Sequence, residues 1–296
     1  MVRPVTQIDP FKAHPQPTTA REPNQDRKKS KVTPSQIGSS PSIQNQPQIS
    51  RLPATTWGSP WIKFKERFTC ELAGPTIVAE NIKNPSKIIH IREFSKHKAD
   101  LWIDVLRCTY HPNIVYANEI FRDHGLTYFV VDDYPLTLEN LVACNILPSE
   151  LQLASILRQI LDGLSYLLDQ GFEHAALTCS NILIGQDGAI QIAALEHCTR
   201  RQLNQSHTQS IRSIADITML LMQKYLKPGK VIGIDNLHWQ SEALEFLSAT
   251  ASVVNVQDLK RLSLFKKHQC SKDSLLTLTR LAFYTTKTWI LKEYLR

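Results

Sequence analysis

The 296-residue sequence has no run approaching the roughly 18 apolar residues of a membrane helix, so no transmembrane span is expected. Its first residues, MVRPVTQIDPFKAHPQP, contain no apolar stretch, and no secretory signal is expected there. The six cysteines (Cys70, Cys108, Cys144, Cys179, Cys198 and Cys270) form no C-x-x-C and no pair at ligand spacing. That scatter argues against a zinc site or a disulfide framework. It suits a reducing compartment, cytoplasmic or nuclear. Net charge is small outside one segment. Before Trp57 there are eight basic and three acidic residues, so that segment holds +5 of the net +7. A body carrying only +2 lacks the footprint of a nucleic-acid-binding domain, and no specific nucleic-acid binding is expected. No internal repeat is visible.

What is present divides into three parts. Residues 1–55 hold nine of the 16 prolines with much Gln, Ser, Thr and Asn. Such a composition buries too little apolar surface to offset chain entropy, and a disordered basic tail is expected. Within it, Arg27-Lys28-Lys29-Ser30-Lys31 reads as a solvated basic linker or a nuclear localisation patch. Thr33-Pro34 and Ser40-Pro41 are candidate phosphorylation dipeptides. Residues 56–268 form the folded body, and residues 269–296 a helical extension. Its Leu275, Leu276, Leu278, Leu281, Tyr284, Trp289, Ile290 and Tyr294 would pack on the body or meet a partner helix.

Hydrophobic periodicity sets the architecture of the body. Phe68–Glu71, Thr76–Ala79, Lys87–Glu93 and Tyr128–Val131 are short β-favouring runs between Gly, Pro and Asn. One helical stretch, Ala99–Thr109, interrupts them. Beyond Asp132-Asp133-Tyr134 the period changes. Ser149 is set to cap a helix over Glu150–Asp169, whose leucines and isoleucines fall on one broad face. Ile182–Ile184 and Ile190–Ile192 predict a hairpin across Gly185-Gln-Asp-Gly188. Helices follow over Ile211–Tyr225, Ser241–Ala249, Val256–Leu264 and Ser274–Leu295. This is an α+β chain with a small strand-rich lobe, about 56–132, and a larger helical lobe, about 135–268.

Phe172-Glu-His-Ala-Ala-Leu-Thr-Cys-Ser-Asn-Ile-Leu-Ile184 resembles the catalytic loop of eukaryotic protein kinases, H-R-D-L-x-x-x-N before an apolar strand. His111-Pro-Asn-Ile-Val115, Thr127-Tyr-Phe-Val-Val-Asp132 and Ile156–Leu167 resemble three other landmarks of that family, in the family's order and spacing. The resemblance implies a bilobal protein kinase-like fold. It also places Val78, His90, Arg92, Asp132 and Asn181 at a nucleotide cleft between the lobes.

The same alignment implies that the catalytic groups have gone. The catalytic Asp position is Ala176 and the preceding Arg position Ala175. The metal-binding Asp position is Ala194, in Ala194-Leu195-Glu196. The phosphate loop, Leu72-Ala-Gly-Pro-Thr-Ile-Val-Ala79, keeps one glycine and gains a proline, which lacks the amide that could cradle phosphate. The strand lysine is replaced by Arg92, read as an exposed arginine at a strand end. His90 is expected to fill the nucleotide slot. The acid of the small-lobe helix is replaced by Trp102, with Asp104 facing another way. Ser210 stands where a buried Asp is expected. His174 reads as a core histidine, Asp132-Asp133 as a solvated turn, and no metal site is expected. The reading is a pseudokinase with a binding, scaffold or allosteric role toward an unidentified protein partner and no cofactor. Its alternative is an atypical ATP- and magnesium-dependent kinase using relocated acids, of which Glu173, Asp187 and Glu196 are the nearest; Glu196, on a strand, would fall about 6–7 Å beyond Ala194.

Overall fold

A computed structural model describes residues 52–202, 206–235 and 238–294, with the backbone alone for residues 230 and 287–294. Most of the expected tail lies outside these residues. The small lobe is a six-stranded sheet made of β1 (Thr55–Trp57), β2 (Phe64–Glu71), β3 (Pro75–Asn81), β4 (Asn84–Ser95), β5 (Glu119–Asp123) and β6 (Leu126–Val131). The strand order is β1-β5-β6-β4-β3-β2, antiparallel except for the β1–β5 pair. Asn81 forms the β3–β4 turn by accepting from the amides of Lys83 and Asn84 at 2.9 and 3.3 Å, the short-range bond that makes Asn a turn residue.

α1 (Lys96–Cys108) crosses one face of this sheet. It turns Ala99, Trp102, Ile103, Val105 and Leu106 inward, at helical spacing. Trp102 is fully buried and stacks on Phe129 with centroids 4.2 Å apart. Phe94 meets the Trp102 ring edge-on at 5.5 Å. The other sheet face has its own small core, built on Phe64, Ile89, Ile91, Phe121 and Val130 and covered by Trp61.

β7 (Leu136–Thr137) and α2 (Leu138–Ala143) open the large lobe, with Thr137 and Asn140 forming a capping box. α3 spans Glu150–Asp169 as its pattern requires, and Ser149 with Gln152 makes a second capping box. Twelve of its residues are buried, so packing rather than propensity holds it. Gly163 lets the His111–Val115 turn lie against it: a Cβ there would stand 2.6 Å from the Asn113 carbonyl oxygen. Asn113 in turn donates to Gln159 Oε1 and to the Ile190 carbonyl at 3.2 and 2.9 Å.

After α3 come β8 (Phe172–His174), β9 (Ile182–Ile184), β10 (Ile190–Ile192) and β11 (Cys198–Arg200). β9 pairs with β7 and β10, and β11 pairs with β8. Gly188, at φ +80°, sits where a side chain would strike the Lys272 carbonyl. α4 (Thr208–Gln223), α5 (Ser241–Ala249), α6 (Val256–Leu259), α7 (Ser263–Lys267) and α8 (Leu276–Tyr294) complete the chain.

The helix expected over Val256–Leu264 is two helices. Leu262 adopts an extended conformation as the cap of α7, and the break seats Leu259 and Leu264 in the core together. Leu275, Leu278 and Ala282 are buried, so α8 packs back on the large lobe. Its Trp289, Ile290 and Tyr294 side chains lie outside the description. No helix among the described residues is long and apolar enough to cross a membrane.

Candidate functional site: the cleft between the lobes

The upper wall of the cleft is set by strand register. Phe68, Val78, His90 and Val131 lie side by side across β2, β3, β4 and β6. Alternation then puts Arg92 on the same side as His90. His90 is 3% exposed, with its Nε2 3.1 Å from Asp133 Oδ1. Asp133 is therefore engaged, rather than simply solvated as the sequence suggested. Asp132 turns away and accepts from Asn118 Nδ2 at 2.8 Å.

Arg92 is the clearest departure from the sequence reading. It is 5% exposed rather than a surface arginine. Its Nη2 and Nη1 reach Glu196 Oε1 and Oε2 at 2.8 and 3.4 Å, and both side chains are 6% exposed. The guanidinium also lies over the rings of Phe94 and Trp102, at 4.9 and 5.6 Å. Trp102 cannot accept a hydrogen bond from it, so the arginine takes an aromatic bed from α1 and its carboxylate from the segment after β10.

That segment turns where a strand was expected. Ala194 has φ 54° and ψ 44°, a left-handed conformation unusual for alanine. The chain then enters a 3₁₀ turn over Leu195–His197, which swings Glu196 toward Arg92. A straight strand would have carried it past. Above the pair, the β2–β3 turn comes down. Leu72 and Ala73 are 8% and 5% exposed and belong to the main core. Gly74, at φ +103°, approaches so closely that a Cβ would stand 2.7 Å from Arg92 Nη2.

The lower wall keeps its backbone frame. His174 is 1% exposed; its Nδ1 accepts from the Ala176 amide at 3.3 Å. Its Nε2 therefore carries the proton and donates to the Ala193 carbonyl at 2.8 Å. Burial pushes its pKa down, in keeping with that neutral ring, although the Ala193 bond opposes the shift. Asn181 donates through Nδ2 to the Ala176 carbonyl at 2.8 Å, and its own carbonyl accepts from the Ala193 amide. Ala175 is exposed, Ala176 is half-buried and Ala194 is buried.

The relocated acids have other tasks. Glu173 is buried and accepts from Ser210 Oγ at 3.1 Å, so it faces α4. The acid expected at Ser210 has in effect moved across that contact. Asp187 sits in the β9–β10 turn, 2.7 Å from Lys272 Nζ. Among the described residues, no three His, Cys, Asp or Glu side chains gather as metal ligands. Burial raises the Cys179 and Cys198 thiols to about 12, so both stay protonated near neutral pH.

This architecture is a protein kinase fold, with a β-rich small lobe and a helical large lobe. Residues 79–223 match the family model of the protein kinase domain. A serine/threonine-protein kinase ste20 of Aspergillus oryzae is 35% identical over 117 residues, covering 38% of this chain and 13% of that protein. A serine/threonine-protein kinase pakA of Talaromyces marneffei is 32% identical over 134 residues, covering 43% and 20%. A mitogen-activated protein kinase sma-5 of Caenorhabditis elegans is 38% identical over 96 residues, covering 31% and 19%. The chain thus spans a fifth or less of the length of these relatives, and it contains a protein kinase-like domain.

Proposed function

We propose that this domain is a pseudokinase: a kinase fold retained for binding a protein partner, with a cleft that does not turn over nucleotide. The observation that carries the reading is the Arg92–Glu196 pair beneath Gly74. Phosphoryl transfer needs a phosphate cradle, metal ligands and a carboxylate at the attacking hydroxyl. Here the loop that would cradle phosphate closes on a guanidinium already neutralised within the protein. The two catalytic acid positions are Ala176 and Ala194. The one amide left there, Asn181, spends its NH2 on the loop backbone. These residues do not fit magnesium-ATP. Six free cysteines are in keeping with an intracellular setting, cytoplasmic or nuclear.

A second reading, an ATP-dependent kinase that uses relocated acids, draws on the relatives, which are named as kinases. One experiment separates the two. The full chain is titrated with ATP and magnesium and its melting temperature followed, alongside radiolabelled phosphate transfer to a generic acceptor. The pseudokinase reading expects no magnesium-dependent rise, because stabilisation follows ligand concentration over Kd. A clear rise, with transfer that disappears in Glu196→Gln, would overturn it.

A further inference from the structure

One end of the small-lobe sheet, where β3 turns into β4, stands open to solvent. Every residue from Ile82 to Ile88 is exposed there. Strand register gathers the neighbours of this turn. Lys65, Glu80 and Ile88 lie side by side across β2, β3 and β4, with Phe64, Asn81 and Asn84 in the next row. The Ile82 amide donates to the Lys63 carbonyl at 3.0 Å, which brings the turn beside Ile62. Ile62, Ile82 and Ile88 are 83%, 51% and 48% exposed. One exposed aliphatic side chain is ordinary; three at one end of a sheet form an apolar patch.

Lysines frame the patch. Lys65, Lys83 and Lys87 are exposed and form no ion pair among the described residues. Of the acids at this end, Glu80 is engaged by Arg67 and Glu119 by Lys63, which leaves Glu66 open. Residues 60–90 hold five basic and three acidic side chains, a net +2 equal to that of the whole chain after Trp57. Three aliphatic side chains thus project among three free ammonium groups, against one open carboxylate. Protein–protein interfaces are enriched in aromatic residues and arginine and depleted of lysine, so this composition is not theirs. It matches a surface that enters lipid headgroups. Isoleucine reaches toward the acyl chains, and lysine lays its stem along them while its ammonium meets anionic headgroups.

We propose that the β3–β4 turn docks this domain on an anionic membrane surface, with Ile62, Ile82 and Ile88 entering the headgroup layer. Charge complementarity selects an anionic surface. The isoleucines select a lipid one, since a soluble polyanion offers them no apolar medium in which to leave water. No membrane span is required, because such a turn lies in the interface rather than crossing it. The inference stands independently of the nucleotide cleft and of the pseudokinase reading.

The test is sedimentation of the full chain with phosphatidylcholine vesicles, with and without phosphatidylserine. The segment before Trp57 is itself basic, so the comparison is between full-length variants that all keep it. Binding should require phosphatidylserine. It should weaken by about tenfold or more when Lys83→Gln and Lys87→Gln are combined, at about fivefold for each lysine. Ile62→Ser combined with Ile82→Ser should weaken it by a similar factor of about tenfold. Both pairs should leave the melting temperature unchanged, because these side chains are exposed in the free protein. No binding, equal binding to phosphatidylcholine alone, or unchanged binding in either pair would overturn the proposal. Polyglutamate held as tightly as the vesicles, and weakened by the lysine pair but not by the isoleucine pair, would assign the surface to an acidic protein segment instead.

Discussion

The two walls of the cleft are built in opposite ways. The lower wall, from β8 to β10, sets small side chains on a hydrogen-bonded frame. The His174–Ala193, Asn181–Ala176 and Asn181–Ala193 bonds hold the loop in place around Ala175, Ala176 and Ala194. The upper wall is bulky. His90, Arg92 and Trp102 fill space, and the β2–β3 turn rests on Arg92. A loop frame contributes to packing whether or not chemistry occurs on it, since every buried backbone group must find a partner. The upper wall is instead filled by its own side chains, as a close-packed interior requires. On this argument backbone bonds hold the lower wall, and side-chain packing holds the upper one.

The comparison breaks most sharply at Trp102. Trp102→Glu restores an acid to α1 but sets it between Phe94 and Phe129 in a sealed aromatic core. The loss should be about 4 kcal/mol or more, from lost packing and a desolvated charge. Urea denaturation measures it. A variant as stable as the wild type would mean that the upper wall tolerates an acid on α1, and that packing does not define it.

The ion pair comes next. Arg92→Met alone leaves Glu196 buried without its cation, and Glu196→Leu alone strands Arg92. Each should destabilise by about 3–5 kcal/mol. The double variant should recover most of that loss, because two apolar side chains need no desolvation. If the single changes are nearly silent, the pair opens to water in solution and the cleft is not closed by it.

A smaller effect is expected where the lobes' elements interlock. Gly163→Ala must push the Asn113 carbonyl away from α3, at about 1–3 kcal/mol. Gly163 meets Asn113, whereas Arg92 meets Glu196, Phe94 and Trp102, so the effect of this change should add to that of Arg92→Met within about 0.5 kcal/mol. Strong coupling between them would show the two walls to be one cooperative unit.

How much of this was legible in the sequence depends on range. α3 was readable to the residue because its signals are local: a Ser149–Gln152 box, an apolar stripe and a glycine after it. The β9–β10 hairpin was readable for the same reason. β5 was not, since Glu119–Asp123 lacks clean alternation and is held by pairing with β6 and β1. At the site, the places of Ala176 and Ala194 could be counted along the chain, but the contact made by Glu196 could not. It depends on a left-handed alanine that no local signal announces. Arg92 was misplaced although a usable signal existed. An inward His90 implies an inward Arg92 two residues on, and an inward arginine needs an acid.

The smallest expected effect is the most telling for the lower wall. Ala176 is half-buried in an intact loop, so Ala176→Asp should shift stability by no more than about 0.5 kcal/mol. If the frame were all that catalysis required, restoring this acid together with Ala194→Asp would yield phosphate transfer. We expect none. Catalytic groups that act as a unit do not add singly, and a carboxylate at residue 176 acts only on a nucleotide already in place. The Arg92–Glu196 pair and the turn above it stand in that place. Radiolabelled transfer in the double variant, with Arg92→Lys and Glu196→Gln added in turn, locates the block. Activity in the double variant alone would show that the upper wall is no barrier. Activity only after the ion pair is removed would show that filling the cleft, rather than losing the acids, was the decisive change.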